Sequence, residues 1–530
     1  MISLQIKSLK IDNYKCLLDF NINLSINDCG SSTIFIGENG TGKTTTLEAI
    51  LKIFMSFDSD AVEKQIDFSY EIEYYFGGEF ICITQSGKNY KIDINHENLC
   101  VGKMKTIRNY LSEKNIFPQR IITFYSGVND KFKTMIKQIN NNYARDCRKV
   151  INEFQRVMSD DTETIIPNLS KRKFNYCDEA LTPIYLCSIL GGDDTFENRY
   201  LKEKCSFDGI SYIDMIINVD KVEYLFGRER FQGDIPTGLY YISDYLDHRF
   251  TDVLRRGFMY SSIGKSYFEI KGIEELGVDT ISILEFFEKL HTLFDAQFEV
   301  VVSKGEDSVR CSDMSEGQRQ LIKMLGMLGV CKKEDCLVLM DEPDAHMNPM
   351  WKYDIKNTID SSLKEATNAQ ALIATHDPLV INGVDKENIR IFTYNEMLKK
   401  ENGYHVTKVI EPTEDTQGMG VDGLLQSEYY RLKTAYDKKT TSKFIRRQEL
   451  YNKLINEEIN DAEKCELRDL TKEIGSLPLS YNSIDFLYDD FIRVFKNTEF
   501  YSKEYLSYED VQERRKRIEE IITALYEEKA

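Results

Sequence analysis

The chain has 530 residues, of which 42% are hydrophobic and 29% charged, so its composition excludes a disordered or fibrous protein. Its net charge of −19 argues against a protein that coats nucleic acid non-specifically, because neutralising phosphates requires a surplus of Lys and Arg. The sequence contains no apolar run long enough to span a membrane and no signal-peptide core, which predicts a cytoplasmic protein.

The first predicted elements are strand, loop, helix and then more strands. An apolar strand at 33–36 leads into a glycine-rich loop, and from Thr44 the apolar residues recur at the spacing of an amphipathic helix. Apolar and polar residues alternate over 68–76 and again over 80–84, with two glycines between them. This second part predicts an antiparallel meander.

The centre of the chain is mostly helical in pattern. A strand at 120–124 precedes this stretch, which runs from about 130 to 290 and lacks the sustained heptads of a long coiled-coil arm. Apolar runs at 336–340 and 371–374 then alternate with helical segments, as in a parallel sheet. Beyond about residue 412 the chain is charged and helical.

The loop after the first apolar strand matches the phosphate-binding pattern. Its glycines would let successive backbone N–H groups converge on phosphate oxygens at a helix N-terminus. We expect Lys43 to reach the β- and γ-phosphates of ATP, and Thr44 to hold Mg²⁺ through its hydroxyl. A glycine-rich turn without a ligand is the alternative, and the strand before and helix after disfavour it. The predicted nucleotide-binding residues of this Walker A motif are Gly37, Glu38, Asn39, Gly40, Thr41, Gly42, Lys43, Thr44 and Thr45.

A buried-type strand at 337–340 ends in two carboxylates. Asp341 is predicted to lie on the metal side, and Glu342 is the candidate general base that polarises the attacking water. Taken alone, this Walker B pattern fits an ordinary acidic strand end equally well.

Residues 315–318, Ser-Glu-Gly-Gln, precede an apolar helix. Their simplest interpretation is a capping box with Ser315 at the N-cap and Gln318 at position N3. They also resemble the ABC signature, whose serine and glycine contact the γ-phosphate bound by the opposite subunit. That resemblance makes Ser315, Gly317 and Gln318 candidate nucleotide-binding residues.

The motifs follow the order found in ABC-type ATPases: Walker A, signature, Walker B, a D-loop at 343–346, and His376 after a strand. The chain therefore resembles the ATPase heads of the RecF, Rad50 and SMC class. The resemblance implies an α/β fold with a mixed sheet around the P-loop, an antiparallel β subdomain, a helical insertion and an all-helical C-terminal region. It also implies a homodimer or higher homo-oligomer with ATP shared head to tail. His376 would be a catalytic γ-phosphate sensor, although alone it fits a satisfied polar residue at a strand end. The Q-loop stays unplaced, with Gln85, Gln119 and the segment 125–127 as candidates.

The predicted domains are a first head lobe with Walker A, a mainly helical insertion, a second head lobe with the remaining motifs, and a helical C-terminal domain: 1–130, 131–295, 296–411 and 412–530. Basic clusters at 171–173, 255–256, 446–447 and 514–517 are interpreted as solvated helix faces, with nucleic-acid binding as the alternative.

Three short segments, at 124–129, 341–344 and 418–425, resemble the PtuA-like ATPases of bacterial antiphage defence, which occur in Septu systems and with retrons. The resemblance implies an ATP- and Mg²⁺-dependent sensor and scaffold that controls an associated PtuB-like HNH nuclease. A retron reverse transcriptase with its RNA and DNA is a further candidate partner, nucleic acid would be contacted through partners, and neither a membrane nor an intrinsic nuclease is predicted. Two other interpretations stay open: a RecF- or SMC-like DNA-binding repair ATPase, and a non-hydrolysing assembly protein stabilised by ATP.

Overall fold

The computed structural model describes the following residues: 4–24, 32–58, 60–63, 65–114, 116–127, 131–137, 139, 145, 149–150, 172–218, 231–232, 235–236, 248–262, 265–332, 334–364, 366, 368–399, 405–432, 436–455, 459–475 and 516. Its strands are β1 (Gln5–Tyr14), β2 (Leu17–Asn23), β3 (Ser32–Gly37), β4 (Tyr70–Phe76), β5 (Glu79–Ser86), β6 (Asn89–Ile94), β7 (Glu97–Gly102), β8 (Arg120–Tyr125), β9 (Phe174–Tyr176), β10 (Gly209–Asn218), β11 (Phe231–Gln232), β12 (Ile235–Pro236), β13 (Phe258–Ser262), β14 (Lys265–Ile270), β15 (Gln297–Lys304), β16 (Asp307–Arg310), β17 (Cys336–Asp341), β18 (Ala369–Ala374), β19 (Ile389–Lys399) and β20 (His405–Ile410). Its helices are α1 (Lys43–Ser56), α2 (Asp60–Glu63), α3 (Met104–Lys114), α4 (Thr182–Gly191), α5 (Phe196–Cys205), α6 (His248–Gly257), α7 (Thr280–Phe294), α8 (Glu316–Val330), α9 (Pro349–Lys364), α10 (Pro378–Ile381), α11 (Gly420–Gln426), α12 (Lys438–Ile455) and α13 (Asp461–Gly475).

The chain divides into two compact units, residues 1–418 and 419–530. The division lies close to residue 412, where the sequence predicts the start of the C-terminal region. None of the helices in the described part of the chain is long and apolar enough to cross a membrane.

A seven-stranded sheet in the order β20-β19-β3-β18-β17-β8-β9 forms the centre of the first unit. Its strands are parallel to their neighbours except β20, which pairs antiparallel with β19. Every residue of β3, β17 and β18 is buried, because a parallel sheet is covered on both faces. The carboxyl ends of β3, β8, β17 and β18 therefore meet at one edge of the sheet.

A six-stranded antiparallel sheet in the order β2-β1-β4-β5-β6-β7 packs beside this centre. Buried residues alternate along β4, as expected for a sheet with one face on the core. Its inner face joins α1 in one large apolar cluster that includes Ile6, Ile72, Ile83 and Phe54. The antiparallel meander predicted from the sequence is present here.

A five-stranded antiparallel sheet, in the order β13-β14-β10-β15-β16, lies largely within the segment 131–295. That segment was predicted to be mainly helical, and α4, α5, α6 and α7 do lie in it. The sheet is a correction to the prediction. In β10 the period-two burial pattern covers only the second half, at Ile213, Met215 and Ile217, while 209–212 are half-buried throughout. An alternation this short is a weak strand signal.

In the described part of the second unit, helices account for the regular structure. α12 and α13 pack through a small apolar cluster of Leu450, Leu454 and Leu467. Arg446 of α12 also binds Glu466 of α13 with two hydrogen bonds of 2.8 and 2.9 Å. The sequence also predicts that Asp489 and Asp490 lie on an exposed helix, and both residues fall outside the part of the chain that the structure describes.

Candidate functional site

The glycines of the loop between β3 and α1 have conformations and surroundings that exclude a side chain. Gly37, Gly40 and Gly42 have φ values of +142°, +86° and +103°. A Cβ on Gly37 would lie 2.1 Å from the Phe392 carbonyl oxygen, and one on Gly42 would lie 2.5 Å from Thr407 Oγ1. These contacts explain why the loop needs glycine at positions 37 and 42.

The hairpin of β19 and β20 holds the loop from the side. The Tyr394 hydroxyl donates to the Asn39 carbonyl at 2.9 Å, and Thr407 Oγ1 donates to the Thr41 carbonyl at 2.9 Å. Within the loop, Thr41 Oγ1 donates to the Glu38 carbonyl at 2.7 Å. Tyr394 and Thr407 were not predicted from the sequence, because strand residues 350 positions or more away give no local signal of this contact.

Lys43 is the first residue of α1, and its side chain curls back over the loop. Its Nζ donates to the Gly37 carbonyl at 2.6 Å and to the Glu38 carbonyl at 3.0 Å, and the residue is only 6% exposed. Burial lowers the pKa of Lys43, while Asp341 and Glu342 oppose that shift. The Lys43 ammonium is thus placed so that it can exchange these two carbonyl oxygens for phosphate oxygens when a nucleotide binds. Thr45 follows in the first turn of α1, where backbone N–H groups lack helical partners.

Thr44 and Asp341 face each other across this edge of the sheet. Asp341, the last residue of β17, is 3% exposed, and burial raises its pKa to about 6 while a hydrogen bond with the Thr44 side chain lowers it. A hydroxyl and a carboxylate beside a phosphate loop are the oxygen donors that Mg²⁺ uses when substrate phosphates complete its ligands. The residues present therefore fit a magnesium ion bound with nucleotide.

Glu342 and His376 form a polar pair next to Asp341. His376 Nδ1 lies 2.9 Å from Glu342 Oε1, and the two side chains are 53% and 36% exposed respectively. Glu342 has φ +52°, a left-handed conformation that costs energy in a residue other than glycine. Its backbone N–H donates to the Ala374 carbonyl at 2.8 Å, and the Ser126 hydroxyl donates to its carbonyl. These bonds fix the backbone from which the Glu342 carboxylate projects.

The structure separates the three candidates for the Q-loop. Gln119 precedes β8 and accepts a hydrogen bond from the Asp335 N–H, which places it at the amino-terminal edge of the sheet, opposite the phosphate loop. Gln85 is buried at the end of β5, where its Nε2 donates to the Gly87 carbonyl at 2.6 Å. Gln119 is therefore excluded as the Q-loop residue. Of the three candidates, the segment 125–127 is the one that contacts the Walker B residues, through Ser126.

The signature turn is built by the capping box that the sequence predicts. The Gln318 N–H donates to Ser315 Oγ at 3.3 Å, and the Ser315 N–H donates to Gln318 Oε1 at 3.0 Å. A Cβ on Gly317 would lie 2.8 Å from the His346 carbonyl oxygen, so the start of α8 packs against the D-loop. Glu316 Oε2 and His346 Nδ1 lie 3.2 Å apart and add a second contact between the start of α8 and the D-loop. The structure thus joins signature to D-loop, and Walker A to Walker B and His376.

A parallel sheet with a phosphate loop after one strand, two carboxylates at the end of another and a signature helix defines an ABC-type ATPase head, a P-loop ATPase. Family models agree with this class: one described as "AAA ATPase domain" matches residues 4–202, and one described as "AAA domain, putative AbiEii toxin, Type IV TA system" matches residues 237–382. The chain carries an ATPase domain.

Among curated relatives, the chain is similar to "Retron Vc95 probable ATPase" of Vibrio cholerae serotype O1 biovar El Tor, with 22% identity over 436 residues and 74% of each chain covered. It is also similar to "Septu protein PtuA" of Bacillus mycoides (strain KBAB4), with 24% identity over 171 residues, 31% of this chain and 21% of that protein. One solved structure is the Smc head domain with an extended coiled coil from Pyrococcus furiosus, with a TM-score of 0.33, 14% identity and coverage of 77% and 96%. The predicted resemblance to PtuA-like and retron-associated ATPases is confirmed.

Proposed function

We propose that this chain binds and hydrolyses ATP with Mg²⁺ as the ATPase subunit of an antiphage defence complex. The observation that carries the catalytic part is the Glu342 to His376 pair, held at 2.9 Å beside Lys43 and Asp341. A base and a polar partner at the open end of a phosphate site are what an attacking water requires.

Each residue has a role that follows from its position. Lys43 exchanges the carbonyls of Gly37 and Glu38 for phosphate oxygens, so the ammonium keeps its hydrogen-bond acceptors when nucleotide enters. Glu342 takes the proton of the attacking water, and His376 orients the carboxylate. Magnesium, when bound by Thr44 and Asp341, would neutralise charge on the phosphates.

A second copy of the chain is proposed to complete the site. Ser315 and Glu316 are exposed at the start of α8, and the Ser315 hydroxyl is engaged by its own helix start. Such a turn can receive a phosphate presented by another molecule. The head-to-tail pairing implied by the ABC resemblance would use this surface.

Nucleotide binding is tested with Lys43→Ala. Loss of a buried charged donor should weaken ATP binding by roughly 100-fold or more and abolish phosphate release. Lys10→Ala is the control, since Lys10 is an exposed lysine paired with Glu71 at 2.7 Å on the antiparallel sheet. Retention of labelled ATP by Lys43→Ala at the wild-type level would refute the proposed site.

The second part of the proposal is that the chain controls an associated nuclease. It is supported by similarity to proteins named as retron and Septu ATPases. Two of the basic clusters are also partly neutralised within the chain: Arg172 binds Glu288, and Arg446 binds Glu466. This neutralisation disfavours a DNA-clamping surface at these clusters. Mass measurement of the complex purified with the products of neighbouring genes, with and without ATP, should reveal an HNH nuclease. A chain that stays free of partners and binds duplex DNA in a salt-dependent way would favour the repair ATPase instead.

A further inference from the structure

A buried carboxylate in the phosphate-loop helix collects positive charge. Glu48 of α1 has a side chain that is 3% exposed. It accepts hydrogen bonds from the Tyr14 hydroxyl at 2.7 Å, from Lys15 Nζ at 2.5 and 2.8 Å, and from Lys131 Nζ. Lys52 adds a fourth group at 3.9 Å. One carboxylate is thus shared by three ammonium groups, which leaves the cluster with a surplus of positive charge.

This cluster lies beside the phosphate site. Glu48 follows Thr44 by four residues, so both project from the same face of α1, and helical side chains lean toward the N-terminus. Cys16, next to Lys15, has its Sγ only 3.1 Å from the position of a Cβ on Gly42. Lys131 precedes Phe132, whose ring lies 5.6 Å from that of Tyr125, and Tyr125 pairs with Asp341 at the end of the sheet. The charge of Lys131 accordingly lowers the pKa of Asp341. The lysines therefore flank the cavity in which phosphates would lie.

The two lysines differ in how firmly they are bound. Lys15 contacts both oxygens of Glu48. Its backbone has φ +50°, a left-handed conformation imposed by the turn between β1 and β2. Lys131 contacts one oxygen, and the two lysine side chains are similarly exposed, 43% for Lys15 and 41% for Lys131. Burial and repulsion by Lys131 lower the pKa of Lys15, although Glu48 opposes them. An additional anion near Lys131 would relieve this repulsion.

We propose that Lys131 binds the terminal phosphate of ATP, and that Glu48 is the positioning residue that holds Lys131 at the site. The proposal rests on the nucleotide binding put forward above and deepens it by naming a second cation for the same phosphates. Lys43 contacts the loop carbonyls, whereas the Lys131 ammonium lies on the Asp341 side of the site. A cation there would contact the terminal phosphate and so distinguish ATP from ADP. The bond from Lys131 to Glu48 keeps the ammonium in place until the phosphate arrives.

The test compares ATP and ADP affinities by calorimetric titration of the full chain. Lys131→Ala should weaken ATP binding roughly 10- to 100-fold and leave ADP binding within about twofold, because only ATP presents the terminal phosphate. Lys131→Arg should recover most of the loss. Lys91→Ala is the matched control: Lys91 lies on β6, has a side chain that is 43% exposed and pairs with Asp93 at 2.7 Å. It should bind both nucleotides as the wild type does.

Glu48→Gln tests the positioning role. If Glu48 acts through Lys131, removing Lys131 should cost much less in the Glu48→Gln background than in the wild type. Thermal melting checks that the variants fold, and Lys131→Ala stays decisive if Glu48→Gln does not. Equal losses for ATP and ADP, or no loss with Lys131→Ala, would overturn the proposal. A wild-type chain that binds neither nucleotide would instead refute the proposed function, so the two failures are distinguishable.

Discussion

The two halves of the proposed nucleotide site differ in how completely one chain builds them. In the phosphate half, Lys43 and Asp341 are 6% and 3% exposed and have their partners in place. In the signature half, the side chains of Glu316 and His346 are 67% and 57% exposed. A cavity of about 350 Å³ lies beside the signature half and is lined by Glu316, Gln320 and His346 together with Ser126. Burial fixes Lys43 and Asp341 in advance, whereas Glu316 and His346 are directed toward solvent, as a surface for a second copy would be.

The largest expected effect comes from removing the base of the phosphate half. Glu342→Gln keeps the shape of the side chain but cannot take a proton, so turnover should fall by about 10²- to 10⁴-fold while ATP affinity is retained. Steady-state phosphate release and nucleotide titration measure the two quantities. The control Glu387→Gln changes an exposed glutamate outside the proposed site. It should leave turnover and ATP affinity unchanged. Phosphate release by Glu342→Gln at the wild-type rate would reject the assigned base and favour the non-hydrolysing assembly protein.

A second prediction concerns the ionic network that joins the central sheet to the helices packed around the signature. Arg120 at the start of β8 binds Glu285 at 2.9 Å and also Glu334, while Arg172 and Asn175 bind Glu288 of α7. Glu288→Gln should destabilise the fold by roughly 3 kcal/mol, because it leaves buried guanidinium charge without a full partner. Denaturant unfolding at pH 7 measures the loss, with the exposed Glu275→Gln as control.

The same carboxylate predicts a pH dependence. Burial would raise the pKa of Glu288, but Arg172 and Arg120 lower it below its ordinary value of 4.5. Because the pKa is lower in the folded state, the stabilisation is present above pH 4.5 and is lost as the pH falls below that value. The gap in unfolding free energy between wild type and Glu288→Gln should therefore stay nearly constant from pH 7 to about pH 5 and narrow as the pH falls below 4.5. A gap that stays constant with pH would show that Glu288 is not the group that titrates.

The smallest expected effect concerns Ser315, the N-cap of α8 in the signature half. Ser315→Ala should cost about 1 kcal/mol of stability through the lost cap of α8, and it should also lower turnover roughly tenfold if a second copy uses this turn. Thr195→Ala removes a matched N-cap, that of α5, which accepts from the Asn198 N–H at 3.3 Å. This control should lose similar stability without losing turnover. Parallel losses of turnover in both variants would assign Ser315 a purely local role.

Local chemistry made parts of the fold predictable. The phosphate loop, the capping box of α8 and the meander of β4 and β5 each depend on residues close together in the chain, so periodicity and turn residues were sufficient to indicate them. The five-stranded sheet was not predicted, because its central strand β10 shows only a short alternation and pairs with residues of β14 and β15 that lie 47 to 94 positions away. Pairing of that kind is decided by packing rather than by propensity.

By itself the sequence determined which residues could carry the chemistry: a loop that only glycines can form, a lysine and a threonine after it, and two carboxylates at the end of an apolar strand. Only the tertiary structure decided what surrounds them. It brought Tyr394 and Thr407 onto the loop, set Glu342 against His376, and gathered Lys15 and Lys131 on Glu48. The reason is physical: a motif is fixed by neighbours along the chain, whereas charge pairing and hydrogen bonds across strand ends depend on distances that exist only after the sheet has formed.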